Sequence, residues 1–363
     1  MNRTFLRSSA TAAAAILALS LTACGAANED PSEGGSDSEL TGTLNGAGSS
    51  AQEASIGSIA AAFQTANPDV TVNYDPVGSG GGREQFIAGG TDFGGTDAFL
   101  DEQELTAAAE RCGSDVIEFP TYVSPIAVIF NLEGVTELNL SPETIGSIFA
   151  GDITKWNDPK IVADNADAEL PDADITPVHR ADDSGTTDNF TEYLEKASGG
   201  SWTHGTVGEW PISSGEAGEG TSGVVSAVKG GTGTIGYADA SQAGDLGVAK
   251  IKVGDEFVAY SPEAAGKALD VSKQIEGRGD NSVVFELDRT TTEAGVYPLV
   301  LVSYQLACTT YEDKATADLV KAFLTFAVSE EGQTASAEGA GSAPISADLS
   351  KKLTGIAETI SAS

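Results

Sequence analysis

The chain has 363 residues, with 54 Asp and Glu against 19 Lys and Arg, a formal charge of −35. That balance excludes nonspecific nucleic-acid binding, which needs clustered cations. A hydrophobic share of 40% with 20% charged residues can bury a core and is not the composition of a disordered chain, and the length suits one large or two medium domains.

At the N-terminus, Arg3 and Arg7 precede an apolar run over residues 10–21 that is too short to span a bilayer and reads as a secretory leader over residues 1–23. It ends in Leu21-Thr22-Ala23-Cys24, which resembles a bacterial lipobox, so Cys24 is expected to become the lipidated first residue. An ordinary leader with a Cys beside its cleavage site is the alternative. Loss of the leader would remove two Arg and no acid, leaving the chain more acidic still. Residues 24–39, rich in Gly, Ser, Asp and Glu, read as a solvated tether with a reach on the order of 20 Å. No later segment carries about 18 uninterrupted apolar residues, so a soluble extracytoplasmic body at the outer face of the cell membrane is expected.

Residues 40–44 alternate as a strand, and Ile56, Ile59 and Phe63 then recur at helical spacing. Residues 70–74 form a second strand, followed by a glycine run at 78–82 and a short helical stretch carrying Phe86 and Ile87. Residues 92–95 read as a strand end and 102–111 as a helix. Further strands are expected at 126–130, 175–179, 234–237 and 299–306, and helices at 143–149, 188–196, 223–229, 315–328 and 347–360. The alternation is that of an α/β protein whose sheets are covered by helices. With Cys24 assigned to lipid, Cys112 and Cys308 remain, an even number that invites a disulfide in an oxidising compartment; two isolated thiols are the other reading.

Glycine and hydroxyl residues cluster where a strand gives way to a helix at three places: Gly46-Ala47-Gly48-Ser49-Ser50, Gly78-Ser79-Gly80-Gly81-Gly82 and Asp183-Ser184-Gly185-Thr186-Thr187. A helix N-terminus offers unpaired amides and partial positive charge, Gly admits close backbone approach, and hydroxyls add donors, so each place suits a small oxyanion. Each also has a plainer reading. Ser50 with Glu53 fits a capping box, the glycine run fits a flexible turn, and Ser184 or Thr186 fits a cap for the helix near Asp188. No Walker ending follows the glycines, and two His among scattered carboxylates give no metal-ligand spacing; neither cofactor nor metal is expected.

Taken together with Asp92-Phe-Gly-Gly-Thr-Asp97 and Arg180-Ala-Asp-Asp-Ser-Gly-Thr186, these motifs resemble the periplasmic phosphate-binding protein of the bacterial high-affinity phosphate ABC transporter. The stretch from Ile145 to Asn157, Trp210-Pro-Ile212 and Gly233-Thr-Ile-Gly-Tyr237 are also similar to family segments. The resemblance implies a two-lobed periplasmic-binding-protein fold of type II, with a hinge and a ligand cleft between lobes. Lobe I would comprise residues 40–124 and 298–363, and lobe II residues 125–297, with crossings near Pro125 and Pro298. It also implies the ligand set: the hydroxyl of Ser50 and amide of Ala51, Ser79, Asp97 as acceptor, Arg180 as ion-pair partner, and Ser184, Gly185 and Thr186 as further donors. Asp182 would orient Arg180. The chain departs from the family in having Ser50-Ala51 where Thr-Phe is common, and whether Arg83 reaches the cleft is open. The expected partners are inorganic phosphate and the permease with its cytoplasmic ATPase, and the protein is expected to act as a monomer.

One residue in this set calls for an explanation of its own. A carboxylate beside an anion repels it, unless the anion carries a proton that the carboxylate can accept. Phosphate near neutral pH keeps a proton and sulfate has none, so Asp97 is the expected specificity residue. Sites built on such a hydrogen bond reject an analogue lacking it by roughly 10⁴ to 10⁵. A turn or capping carboxylate ahead of Glu102 is the plainer reading of Asp97, and a surface ion pair that of Arg180. The rival functions are binding of sulfate or molybdate, and a serine hydrolase or phosphatase built on Ser184 and His179, which lacks a nucleophile elbow.

Overall fold

The computed structural model describes residues 40–363. The expected leader, Cys24 and the tether lie outside the described residues. From Leu40 the chain forms β1 (Gly42–Gly48), α1 (Glu53–Ala66), β2 (Val70–Asp75), α2 (Ser79–Ile87), β3 (Phe93–Thr96) and α3 (Glu102–Cys112). Then come β4 (Val116–Asn131), β5 (Asn139–Leu140), α4 (Pro142–Phe149), α5 (Pro159–Asp164), β6 (Thr176–Arg180) and α6 (Gly185–Ala197). They are followed by β7 (Glu216–Gly218), α7 (Gly220–Gly230), β8 (Thr234–Asp239), β9 (Gly247–Val248), β10 (Lys250–Val253), β11 (Glu256–Val258) and α8 (Pro262–Asp270). The chain closes with β12 (Lys273–Gln274), β13 (Phe285–Glu286), β14 (Val300–Cys308), β15 (Thr310–Tyr311), α9 (Lys314–Ala327), α10 (Glu330–Ala340), α11 (Ala347–Ala357) and β16 (Ser361–Ala362).

Two lobes share one sheet, ordered β2-β1-β3-β14-β4-β8-β6-β7, with β9 also on β4. The 16-residue β4 is what joins them, because its β-branched and aromatic residues are buried along nearly the whole length. Residues 116–125 of β4 pair antiparallel with β14, and residues 126–131 pair antiparallel with β8. The exchange of partners therefore falls at Pro125 and Ile126, within a continuous strand rather than at a loop. On one side, β1 lies parallel between β2 and β3 over a core of Leu44, Ile56, Phe63, Phe93 and Phe323. On the other, Ile145, Phe149, Phe190 and Tyr237 form the centre of a larger core that extends to Val300. Residues 278–283 return to the first side: Arg278 pairs with the fully buried Glu118 at 2.9 Å, and Val283 joins the first core.

Several boundaries differ from the sequence expectation for local reasons. The glycine run is not a turn. Gly78, at φ 90°, caps α2, and Gly80 to Gly82 are helical. A Cβ on Gly82 would sit 2.4 Å from Gly48 Cα, so the glycines let α2 lie directly on β1 and β3. α6 begins three residues earlier than Asp188, at Gly185. The last helix stops at Ala357, and the chain then adds β16 parallel to β15. The helix α10 escaped notice because Glu330–Ala340 carries few apolar residues to show a period. Cys112 and Cys308 form a disulfide joining the end of α3 to the end of β14.

Where the two lobes join, Asp239 at the end of β8 is buried and accepts from Tyr122 Oη at 3.0 and 3.1 Å and from the Ser241 amide at 2.9 Å. Burial pushes its carboxyl up to about 6, against the hydrogen bonds that draw it down. The folded state therefore holds this proton more tightly than the unfolded chain does, so the Asp239 contribution to stability falls as pH rises from about 4 to about 6. Asp239→Asn is expected to flatten that part of the profile, measured as denaturant midpoint against pH.

Candidate anion-binding site

β1 turns through Ser49, Ser50 and Ala51 into α1, β3 delivers Asp97 directly after Thr96, and β6 ends at Arg180 ahead of α6. These strand ends bring Asp97, Arg180, Ser79, Ser184, Gly185 and Thr186 into one buried cluster. Asp97 is 3% exposed. Its Oδ2 accepts from Ser49 Oγ at 2.6 Å and Ser79 Oγ at 3.4 Å, and its Oδ1 accepts from Ser303 Oγ. Burial lifts the carboxyl above the ordinary range, while the Ser303 and Ser49 hydroxyls and the Arg180 charge draw it back.

Arg180 is also buried, and its Nε donates to Asp182 Oδ1 at 2.7 Å while Nη2 donates to Asp182 Oδ2. Asp182 accepts the Gly220 amide as well, at 3.1 Å, so the fork is held from two sides. The Arg180 amide donates to Tyr237 Oη at 3.3 Å. Tyr237 stacks on Trp210, which in turn stacks on His179 with centroids 5.0 Å apart.

Ser184 is the N-cap of α6, its Oγ accepting from the Thr187 amide at 3.1 Å. Capping uses the oxygen as an acceptor and leaves the hydroxyl proton free to donate outward, so the cap and the ligand donor are compatible. The Gly185 and Thr186 amides, in the first turn, have no acceptor within their helix. Thr186 Oγ1 is buried without a hydrogen-bond partner. Arg180 and several unspent donors thus face a carboxylate that can only accept, a set that fits a small, protonated oxyanion.

Ser50 and Ala51 are placed differently from expectation. Ser50 Oγ accepts from the Thr221 amide at 3.0 Å, at the start of α7, and the Ala51 amide donates to Ser49 Oγ at 3.1 Å. Ser49, which no sequence signal separated from its neighbour, is the residue of this motif that reaches Asp97. The capping alternative holds for Ser184 but fails for Ser50 and Asp97: α1 is capped at Gln52 without a side-chain bond, and α3 by Asp101 in a box with Glu104. Arg83 bonds Glu104 at 2.7 Å, Thr96 at 3.3 Å and Asp183 at 3.3 Å, which ties α2 to the turn before α6. Ser303 was missed as well; its only trace is a polar residue inside an apolar strand.

The two lobes are closed upon each other here. The Gly80 amide donates to Asp183 O at 3.1 Å, Gln242 Nε2 to Ser50 O at 2.9 Å, and Asn189 Nδ2 to Asp97 O at 2.7 Å. Asn189 is held in turn by Arg289, 1% exposed, which also donates to Val300 O at 2.6 Å and Pro298 O at 3.1 Å. Among the described residues no group of three or more His, Cys, Asp and Glu could hold a metal ion, and no helix is long and apolar enough to cross a membrane.

With this geometry in hand, comparisons with known proteins agree on a kind. Residues 33–331 match the model of the PBP superfamily domain. The chain is 39% identical over 323 residues to phosphate-binding protein PstS3 of Mycobacterium bovis, covering 85% of this chain and 86% of that one. It is 36% identical over 361 residues to phosphate-binding protein PstS 2 of Mycobacterium tuberculosis, covering 94% and 95%. A high-affinity periplasmic phosphate-binding protein (PfluDING) solved with phosphate bound shares the fold at a TM-score of 0.69 and 19% identity, over 86% of this chain and 93% of that one.

A Cβ on Gly185 would lie 2.5 Å from Ser79 Oγ and 2.7 Å from Asp97 Cβ. Gly185→Ala keeps a backbone that Ala adopts readily, so its effect is steric and confined to closure. The variant is expected to remain open in small-angle scattering with saturating anion, while the parent chain contracts.

Proposed function

The chain belongs to the PstS family of phosphate-binding proteins, and from that premise we propose that it captures inorganic phosphate outside the cytoplasm and delivers it to an ABC permease driven by a cytoplasmic ATPase. The observation that carries this reading is the buried Asp97 carboxylate set among hydroxyl donors, with the Thr186 hydroxyl buried and unpartnered at the start of α6. An ionised carboxylate only accepts, so the ligand oxygen beside it has to bring a proton. The Arg180 guanidinium beyond its bonds to Asp182, the Gly185 and Thr186 amides and the Ser184 and Thr186 hydroxyls complete the set, and Ser79 joins it by turning its hydroxyl from Asp97 to the ligand. Ser50 and the Ala51 amide act from the loop between β1 and α1 once their present partners, Thr221 and Ser49, give way.

In this reading residues 40–124 and 298–363 act as one lobe and 125–297 as the other, closing around phosphate and presenting the closed face to the permease. Lipid on Cys24 holds a monomeric body at the outer face of the membrane, as the lipobox-like Leu21-Thr22-Ala23-Cys24 supports. Family membership makes it a solute-binding protein, and the Ser184 hydroxyl accepting from Thr187 while His179 stacks on Trp210 supports binding without turnover.

Intrinsic fluorescence reports the site, because Trp210 stacks on Tyr237 and Tyr237 bonds the Arg180 amide. Phosphate and arsenate are expected to shift the emission, and sulfate and molybdate to leave it unchanged. Asp97→Asn is expected to lower the phosphate-to-sulfate affinity ratio by at least about 100-fold, since a hydrogen bond to a charged group is replaced by one that can be donated; a ratio equal to the parent's rejects the role given to Asp97.

Asn189→Ala removes the bond that holds Asp97's own carbonyl across the cleft, without touching the ligand. Phosphate affinity is expected to fall about tenfold, through faster release in stopped-flow fluorescence, with the phosphate-to-sulfate ratio unchanged.

A further inference from the structure

Ser303 stands opposite Asp97 because of strand register. β14 pairs antiparallel with β3, Tyr304 against Thr96, and one residue further along this register places Ser303 beside Asp97. Ser303 is fully buried, and its hydroxyl donates to Asp97 Oδ1, while Ser49 donates to Oδ2 at 2.6 Å. The donors come from three separate elements, β14, α2 and the loop after β1, and they reach both oxygens of one carboxylate. A proton on the carboxyl would occupy the one lone pair that these three donors leave open. The ionised form satisfies all of them and still has a lone pair to offer.

We infer that Ser303 is a specificity-determining residue: by donating to Asp97 it keeps that carboxylate an obligate acceptor, which denies sulfate a donor. This rests on the reading of Asp97 as acceptor of the phosphate proton. Burial works in the opposite direction, favouring a proton on Asp97, and the Ser303 hydroxyl is the foremost of the groups that oppose it. The charged and titratable groups near Asp97 are Arg180 across the cleft, Tyr74 behind it on β2, Arg83, whose Nη1 bonds the adjoining Thr96, and Asp188, Glu192 and Lys196 of α6, which line a cavity with Asp97; burial lifts Asp188 to about 6, so it titrates in the parent chain and the Ser303 variants alike. Arg180 favours the ionised form, but its guanidinium is also the counter-ion of Asp182 and of the bound anion, so it cannot hold Asp97 ionised alone.

Without Ser303, Asp97 holds a proton more readily, and a protonated Asp97 is a donor, which a fully ionised oxyanion can accept. The experiment measures affinities for phosphate and for sulfate between pH 5.5 and 8.5 in the parent chain, Ser303→Ala, Ser303→Thr and Asp97→Asn. Ser303→Ala is expected to lower the phosphate-to-sulfate ratio by about 10- to 100-fold at the acid end, with recovery toward the parent value at the alkaline end; Ser303→Thr, which keeps the hydroxyl, is expected to restore it throughout. Asp97→Asn is expected to lower the ratio at every pH. If Asp97→Asn lowers the ratio while Ser303→Ala leaves it unchanged, or lowers it without pH dependence, the role of Ser303 is overturned and that of Asp97 stands. If Asp97→Asn leaves the ratio unchanged, both fall. Should Ser303→Ala not fold, Ser49→Ala removes the donor on the other oxygen and is held to the same two outcomes.

Discussion

A buried carboxylate where the strand ends meet constrains everything around it. Asp97 cannot be left bare in a closed cleft, and the nearby arginine, Arg180, is already the counter-ion of Asp182. The chain meets that demand with neutral dipoles: serine hydroxyls from Ser49, Ser79 and Ser303 hold Asp97, and Asp182 holds Arg180. Because these groups act only over hydrogen-bond distances, they work in a protein whose long-range field is strongly negative.

That short range makes closure part of the chemistry. The donors on α6 and the acceptor after β3 belong to different lobes, so recognition is complete only when the lobes meet. Glycine provides the clearance, with Gly185 against Ser79 and Asp97. The contact is also tied to the strands that join the lobes. Arg289 holds the carbonyls of Pro298 and Val300 at the start of β14 and reaches Asn189, which holds the carbonyl of Asp97. Movement at the joining strands and the position of Asp97 are thereby linked by four side-chain hydrogen bonds.

Much of this was legible in the sequence because it is local. Glycine-hydroxyl motifs after strands marked Ser79, Ser184, Gly185 and Thr186 within five residues each, the family resemblance was needed to name Asp97, Arg180 and Asp182, and the α/β alternation could be read from period alone. What was not legible depends on contacts between distant segments. Ser303 is 206 residues from Asp97, and Asn189 and Arg289 acquire a role only through the fold. Within the first motif, two adjacent serines differ only in which way the turn points them, and the turn gives Asp97 to Ser49 and Thr221 to Ser50. Helix α10 was hidden by composition, since small residues pack it on α1 without making an apolar stripe.

The Cys112–Cys308 bond has a mechanical meaning that its location makes plain. It spans 196 residues of chain, and those residues include all of the strands and helices from β4 through β13 and nearly all of β14. Traction applied at the two ends of the polypeptide would run along α3, across the sulfur bridge and out through α9 to the last strand. Residues 125–297 hang from that short circuit as a closed loop, so tension between the two ends of the described chain passes around them through the sulfur bridge.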